Sequence, residues 1–233
     1  MRLFLSSIAA AVAITATGAS ATTVTTFSDR AAFGAALASA STEDFEAVTG
    51  EPDFIHDPLV VGDLTLLITG ATTPHGKGYN AIDTRPFVLP VGGDEATFDA
   101  NAPGDSTLVN VVLRADSADL FSIAFPAPIT AFGADLGDFN NGARRTEVAI
   151  SGGGVDLPKT VPSPSLSGRE VIFFGLISGT PFTTVEFSAI AGPDVFSVDN
   201  VTYGDASAVP LPAPAALLLG GLAALGVVRR RRR

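Results

Sequence analysis

Carboxylate and amide side chains cluster at three places along the chain where their oxygens could bind a cation. The clusters are Asp44-Phe45-Glu46, the stretch 135–141 with Asp135 and Asp138, and the stretch 194–200 with Asp199 and Asn200. Hard oxygen ligands of this kind suit Ca²⁺. Asp and Asn also form turns by bonding to nearby backbone amides, which is the alternative explanation of the same residues. The clusters therefore predict a structural calcium as the candidate cofactor, with turn chemistry left open beside it.

Catalytic motifs are not evident in the sequence. His56 and His75 lie in separate loop-like stretches without zinc-ligand spacing. No Gly-x-Ser-x-Gly nucleophile elbow occurs, and Ser151-Gly-Gly-Gly is typical of a turn after a strand. Glycoside hydrolysis needs two placed carboxylates, and 24 acidic residues single out no pair. The sequence favours a non-catalytic protein, with a carboxylate-dependent hydrolase such as a glycosidase as the alternative.

Both ends of the chain resemble processing signals rather than parts of the fold. Met1-Arg2, an apolar run over 3–17 and Ala19-Ser20-Ala21 predict a signal peptide over 1–21. At the other end, the Pro-rich motif 209–213 leads into an uncharged run over 211–228 and then into five arginines. That run is just long enough for a transmembrane helix, and the arginines keep its end in the cytoplasm. Residues 22–208 are therefore predicted to be the exported domain.

The C-terminal tail resembles the PEP-CTERM class of sorting signals, in the variant whose motif is Val-Pro-Leu-Pro-Ala. The resemblance covers the motif, the apolar run and the terminal arginine cluster in order. The matching residues are Val209, Pro210, Leu211, Pro212, Ala213, Arg229, Arg230, Arg231, Arg232 and Arg233. The resemblance implies a Gram-negative bacterium and processing by an exosortase, while the N-terminal signal over 1–21 implies signal peptidase. The resemblance also implies a precursor anchored transiently in the inner membrane, then a place at the cell surface or in the exopolysaccharide matrix.

The residues of the tail bear on two other interpretations. A Gram-positive sortase substrate would have Leu-Pro-x-Thr-Gly before the apolar run, but here Leu211-Pro212-Ala213 continues with Pro214 and Ala215. A plain single-pass anchor remains the alternative, in which the prolines only prevent the helix from beginning earlier.

Charge and composition limit the partners of the exported domain. Residues 22–208 contain all 24 acidic residues and 8 basic ones, which gives a net charge of −16. Nucleic acid is excluded as a partner, because phosphate binding requires a basic face. The chain contains no cysteine, so disulfides and thiolate metal sites are ruled out, and a single hydrophobic core suffices at this length.

The pattern of apolar residues predicts one helix followed by many strands. Ser28 is expected to cap a helix over 29–38, with Phe33 and Leu37 on one face. Alternating segments rich in Val, Ile, Thr and Phe then predict eight strands: 64–69, 107–113, 120–125, 129–136, 147–151, 171–176, 183–188 and 196–203. The predicted fold is mainly β, an antiparallel β-sandwich of the jelly-roll type with a phenylalanine-packed core.

Period-two alternation also assigns faces to particular side chains. Within 182–188, Val185 and Phe187 are expected on the core face. Within 194–200, Asp199 is expected on the face opposite to Val198, and Asn200 on the same face as Val198.

A second resemblance concerns the exported domain. An early Phe45-Glu46 and the late sequence Phe196-Ser-Val-Asp-Asn-Val-Thr-Tyr-Gly204 are similar to the first and last strands of jelly-roll carbohydrate-binding and concanavalin-like modules. The resemblance implies a structural calcium shared by Glu46 and Asp199. Together, the two resemblances predict an exported surface or extracellular-matrix protein, with a non-catalytic module associated with exopolysaccharide.

Overall fold

The computed structural model describes residues 23–50, 52–55, 57–70, 80–83, 108–113, 119–140, 144–161 and 171–207. These residues form one short helix and eleven strands, all antiparallel. The helix is α1 (Arg30–Ala35). The strands are β1 (Val24–Phe27), β2 (Leu37–Glu43), β3 (Leu59–Val61), β4 (Leu64–Thr69), β5 (Ala81–Asp83), β6 (Leu108–Leu113), β7 (Leu120–Gly137), β8 (Arg145–Gly152), β9 (Val155–Val161), β10 (Val171–Ala191) and β11 (Asp194–Ala206). The predicted mainly-β antiparallel architecture is confirmed.

All eleven strands form one sheet, and two long strands, β7 and β10, run through both of its halves, which are the two layers of the fold. One layer contains β3, β4, β8 and β9, and the other contains β1, β2, β5, β6 and β11. The first half of β7 pairs with β4 and with the second half of β10, whereas its second half pairs with β11 and with the first half of β10. The register between β7 and β10 shifts around Phe182, where Pro126, Pro128 and Pro181 interrupt the ladder. Each long strand was predicted as two separate strands, because proline and glycine in the middle signal a turn.

The core between the layers is packed with phenylalanine, as predicted. The rings of Phe187 from β10 and Phe196 from β11 lie 5.5 Å apart, and Phe139 meets Phe196 edge-on at 5.0 Å. Phe121 lies 5.7 Å from Phe187, and all four side chains are fully buried. Since these rings come from strands of both layers, the two layers share a single core.

The helix is shorter than the sequence predicts. It begins after Asp29, whose Oδ1 accepts a hydrogen bond from the amide of Ala32 at 2.7 Å, so the cap is Asp29 and not Ser28. The helix ends at Ala35, and Leu37 is already in β2, which pairs with the end of β11. Phe33 and Leu37 therefore do not share a helix face. The alanine-rich sequence favours helix locally, but the hydrogen bonds to β11 decide the conformation of this segment.

Several predicted features lie outside the described residues. These are the signal peptide over 1–21, the tail over 209–233 with its transmembrane segment, His56 and His75. Within the described ranges, no helix has both the length and the apolar character needed to cross a membrane.

Candidate functional site

The outer face of one layer brings polar side chains from three strands together. In β7, Ala134 and Leu136 point into the core, so Asp135 between them points outward. By the same alternation, Phe173 of β10 and Asp199 of β11 lie on the outer face. Asp135 and Asp199 are direct partners in the β7–β11 register, so two carboxylates stand side by side.

Helix α1 packs on this outer face through aromatic contacts. Phe33 is buried and lies 5.4 Å from the ring of Phe173 and 5.6 Å from that of Phe27. Two glycines allow the Phe33 and Phe173 rings to lie close to the sheet backbone. A Cβ on Gly133 would lie 2.7 Å from the Phe173 ring, and a Cβ on Gly175 would lie 2.9 Å from both the Phe33 and Phe173 rings. The glycines thus let the helix lie directly on the sheet.

The helix places Arg30 above the carboxylate of Asp135. The guanidinium Nη2 lies 2.8 Å from Oδ2 of Asp135, and Cζ lies 4.6 Å from the centre of the Phe173 ring. Nη1 donates to Oγ1 of Thr202 at 3.2 Å, and Nη2 also donates to the backbone oxygen of Asn200 at 3.4 Å. An ion pair and a cation–π contact therefore fix a guanidinium whose side chain is still 40% exposed.

Asn200 completes the group through an irregularity in β11. The register with β7 shifts between Asp199 and Thr202, and Asn200 adopts a left-handed conformation with φ of 49°. Its Nδ2 donates to Oδ2 of Asp135 at 3.2 Å and to Oδ2 of Asp199 at 3.3 Å. Asn200 thus lies on the same face as the two carboxylates, and the prediction that it shares a face with Val198 is wrong. The register shift breaks the alternation of side chains between the two faces of the strand at this residue.

We name the group formed by Arg30, Asp135, Phe173, Asp199 and Asn200 the Arg30 patch. It combines a planar donor, two carboxylate acceptors and an amide on one face of the sheet. The sequence predicts three of its members, Asp135, Asp199 and Asn200, as ligands of a metal. It does not indicate Arg30 or Phe173, since no spacing relates a helix residue near the start of the chain to strands that follow over 100 residues later.

The other two predicted calcium ligands lie elsewhere. Asp138 pairs with Arg144 at 3.3 Å, and Glu46 is exposed in a turn in which its amide donates to Oδ1 of Asp44 at 3.2 Å. The Asp44 contact is the turn chemistry that the sequence left open. In the part of the chain that the structure describes, no three His, Asp or Glu side chains are grouped as a metal site would require. Structural calcium stays a prediction.

A buried carboxyl, Asp194, lies at the beginning of β11 and is fully shielded from solvent. Its Oδ2 accepts from Oγ1 of Thr146 at 2.6 Å and from the amide of Asn140 at 3.2 Å, and the Asn140 side chain in turn bonds to the Thr146 backbone. Its Oδ1 has no hydrogen-bond partner among the described residues. Burial raises the pKa of Asp194, while the two hydrogen bonds and the charge of Arg144 oppose this effect.

Comparison with known proteins gives a partial likeness to a solved structure. No protein-family model matches the chain. No curated protein matches it either. A solved structure of a mutant of CBM29-2, a family 29 carbohydrate-binding module, is similar with a TM-score of 0.33 and 14% identity, over 45% of this chain and 77% of that one. A likeness of this extent does not assign a ligand to this chain.

Proposed function

We propose that this protein is an exported, non-catalytic component of the cell surface or extracellular matrix that holds polysaccharide. The observation behind the binding role is the Arg30 patch. The observation behind the location is the tail over 209–233, whose resemblance to exosortase substrates concerns its motif, apolar run and arginine cluster.

The chemistry of the patch suits neighbouring hydroxyl groups on a sugar. A hydroxyl both donates and accepts, so one hydroxyl accepts from the Arg30 guanidinium while the next donates to the carboxylate of Asp135, whose side chain is 22% exposed. Hydrogen bonds with one charged partner are about twice as strong as neutral ones. The ion pair with Asp135 and the contact with Phe173 hold the guanidinium in place beforehand, so ordering it costs little on binding.

Binding is tested with the full-length protein, purified in a polyoxyethylene detergent that contains no sugar. A panel of immobilised polysaccharides is probed with the wild type, with Arg30→Ala and with Arg144→Ala. The Arg144 variant is the matched control, because Arg144 also pairs with an aspartate, Asp138, but lies outside the patch. We expect a loss of about tenfold or more for Arg30→Ala, which corresponds to one charge-assisted hydrogen bond. Equal binding by wild type and both variants contradicts the role of the patch.

Location is tested by ending the chain before Val209. The proposal predicts that the truncated protein is no longer retained at the cell surface, since it lacks the sorting motif, the apolar run and the arginines. Retention equal to that of the full-length protein rules out sorting through the tail. If Val209–Ala213 is replaced while the apolar run is kept, a plain anchor predicts unchanged retention, whereas exosortase processing predicts an uncleaved, membrane-bound precursor.

One observation favours the hydrolase alternative, namely the side-by-side position of Asp135 and Asp199 in adjacent strands. Both carboxylates are engaged within the protein, Asp135 by Arg30 and each of them by the Asn200 amide. The binding role therefore explains this pair better than acid–base catalysis does. Release of reducing ends from a bound polysaccharide, abolished by Asp199→Asn, would establish the hydrolase instead.

A further inference from the structure

We infer that strand β2 is an interaction surface for a second copy of this chain, with the two β2 strands paired edge to edge in antiparallel orientation. Polysaccharide is not required for this pairing. Three features lead to it: the exposure of β2, the contrast with the other edge strands, and a sequence over Leu37–Glu43 that suits a partner identical to itself.

β2 lies at an edge of the sheet and is exposed on both faces. Among the described residues it pairs with β11 alone, in a register that joins Glu43 to Val201 and Ser39 to Asp205. Residues 38–42 are all exposed, although strand side chains alternate between the two faces. In an antiparallel ladder about half of the residues direct their N–H and C=O groups away from the partner strand. The outer edge of β2 is therefore a row of hydrogen-bonding groups with which a further strand can pair.

The other edge strands in the described part of the sheet are protected against such pairing. β1, β3 and β5 are short, at 4, 3 and 3 residues. β9 has 7 residues, but these include Asp156, Pro158 and Lys159. Short length, charge and proline are means by which proteins keep an edge strand from pairing with another chain. β2 also has 7 residues, and it contains neither proline nor charge from Leu37 to Thr42.

The sequence of β2 suits a partner with the same sequence. In an antiparallel pair centred on Ala40, Ala40 faces its own copy, and Ser39 faces Ser41. Alanine and serine are small enough for the two backbones to reach the strand spacing of about 4.8 Å. Serine hydroxyls that face each other across two strands also form hydrogen bonds. A twofold axis through Ala40 closes the interface, so that two copies complete it.

The nearby carboxylates do not oppose this pairing. The two Glu43 residues lie at opposite ends of the pair, about 20 Å apart at roughly 3.3 Å per residue. The two Asp205 residues, each one strand further out, are separated by three strand spacings, or about 14 Å. Both distances exceed the screening length of about 8 Å at physiological salt, so repulsion between these carboxylates is weak.

A second copy is favoured over a flexible peptide as the partner because its β2 is already extended. Pairing with β11 fixes the backbone of Leu37–Glu43 in each copy before the two copies meet. A disordered peptide would lose backbone entropy at every residue that becomes extended. The second copy therefore pairs at a lower entropic cost.

The test uses the full-length protein in the polyoxyethylene detergent, without polysaccharide. The chain contains no cysteine, so one introduced cysteine reports on its own position. Residues that face each other in an antiparallel pair have Cα atoms about 4.5–5.5 Å apart, within the range of a disulfide. Under mild oxidation, Ala40→Cys should form a covalent dimer on a non-reducing gel. The control Ala47→Cys, on an exposed turn residue, should stay monomeric.

A mixture of two variants tests the register. Ser39→Cys, enlarged by a tag, is mixed with untagged Ser41→Cys, and the two should form a cross-linked pair of intermediate size because these residues face each other. Ser39→Cys alone should cross-link far less, because its two copies are offset by two residues and lie about 8 Å apart, beyond the reach of a disulfide.

Charges at Ala40 test the contact itself and control for folding. Ala40→Lys on both partners places like charges face to face and should reduce the cross-link between positions 39 and 41 by about tenfold or more. Ala40→Lys on one partner and Ala40→Glu on the other places opposite charges there and should restore the cross-link. Restoration also shows that both variants fold.

The outcomes that overturn the inference are distinct from those that bear on polysaccharide. Absence of a covalent dimer with Ala40→Cys overturns it. Equal cross-linking of Ala40→Cys and Ala47→Cys also overturns it, because association elsewhere in the chain then explains both. A cross-link between positions 39 and 41 that does not respond to the charges at Ala40 overturns it as well. All three outcomes leave the proposed polysaccharide-binding function standing, since that function is measured on the polysaccharide panel.

Discussion

Replacing Asp194 by asparagine is expected to change how the stability of the domain depends on pH. Asp194 is fully buried, and its Oδ2 accepts hydrogen bonds from Thr146 and Asn140. Asparagine retains an oxygen acceptor for these two donors but cannot ionise. The substitution therefore removes one titration while it keeps most of the local packing.

The sign follows from the raised pKa. Desolvation by burial raises the pKa of Asp194 above its ordinary value of 3.8, so the folded protein binds this proton more tightly than the unfolded chain does. The resulting stability is fully present below the unfolded-state pKa and is lost as the pH rises through the folded-state pKa. Each tenfold difference in proton affinity between the two states contributes about 1.4 kcal/mol.

The assay is chemical denaturation of wild type and Asp194→Asn between pH 7 and pH 4. The two proteins share all other carboxyl groups, so the difference between their unfolding free energies isolates Asp194. We expect this difference to shift in favour of the wild type as the pH falls. Asp205→Asn, the same change on an exposed side chain, should differ from wild type by less than about 0.5 kcal/mol throughout. A difference between wild type and Asp194→Asn that stays constant, or that shifts in favour of asparagine on acidification, refutes the reasoning.

Three further predictions concern packing and ions. Gly175→Ala should destabilise the fold by about 1–3 kcal/mol and weaken polysaccharide binding, because its Cβ would lie 2.9 Å from the Phe33 and Phe173 rings. Its control is Gly34→Ala, whose Cβ would have no heavy atom within 4 Å and which should stabilise α1 by up to about 1 kcal/mol. Phe187→Ala should cost about 3–5 kcal/mol in urea unfolding, since Phe187 is fully buried against three other rings, whereas Val60→Ala at 67% exposure should stay within about 0.5 kcal/mol. If the domain binds a structural calcium, a chelator should lower the midpoint of thermal unfolding. An unchanged midpoint would show that no calcium stabilises the fold.

The strands were predictable wherever one face is apolar and the other polar. β4 begins and ends where the pattern predicts, and in β10 the alternation of Val185 and Phe187 with half-buried polar residues is as expected. β2 was missed because its sequence, Leu-Ala-Ser-Ala-Ser-Thr-Glu, has no alternation of large apolar side chains and contains helix-favouring alanine. Its conformation depends on pairing with β11, which local sequence does not specify.

The candidate site was predictable only in part, for a related reason. Clusters of carboxylate and amide residues can be seen in the sequence, and Asp135, Asp199 and Asn200 were predicted as site residues on that basis. Their partner is set by the fold, because α1 packs on Gly133 and Gly175 and so brings Arg30 over Asp135. The sequence pattern predicts calcium at these residues, which stays a prediction, and it does not indicate the guanidinium that the fold places beside Asp135.

The most direct test of the polysaccharide-binding role observes the Arg30 guanidinium itself. In ¹H–¹⁵N spectra of the arginine side chains of the full-length protein, assigned with Arg30→Ala and Arg144→Ala, a bound polysaccharide should shift the Nε–H signal of Arg30 and leave that of Arg144 unchanged. The Arg30 guanidinium contacts ligand in this account, whereas Arg144 is paired with Asp138 outside the patch. A polysaccharide that binds without moving the Arg30 signal, or that moves only the Arg144 signal, contradicts the account.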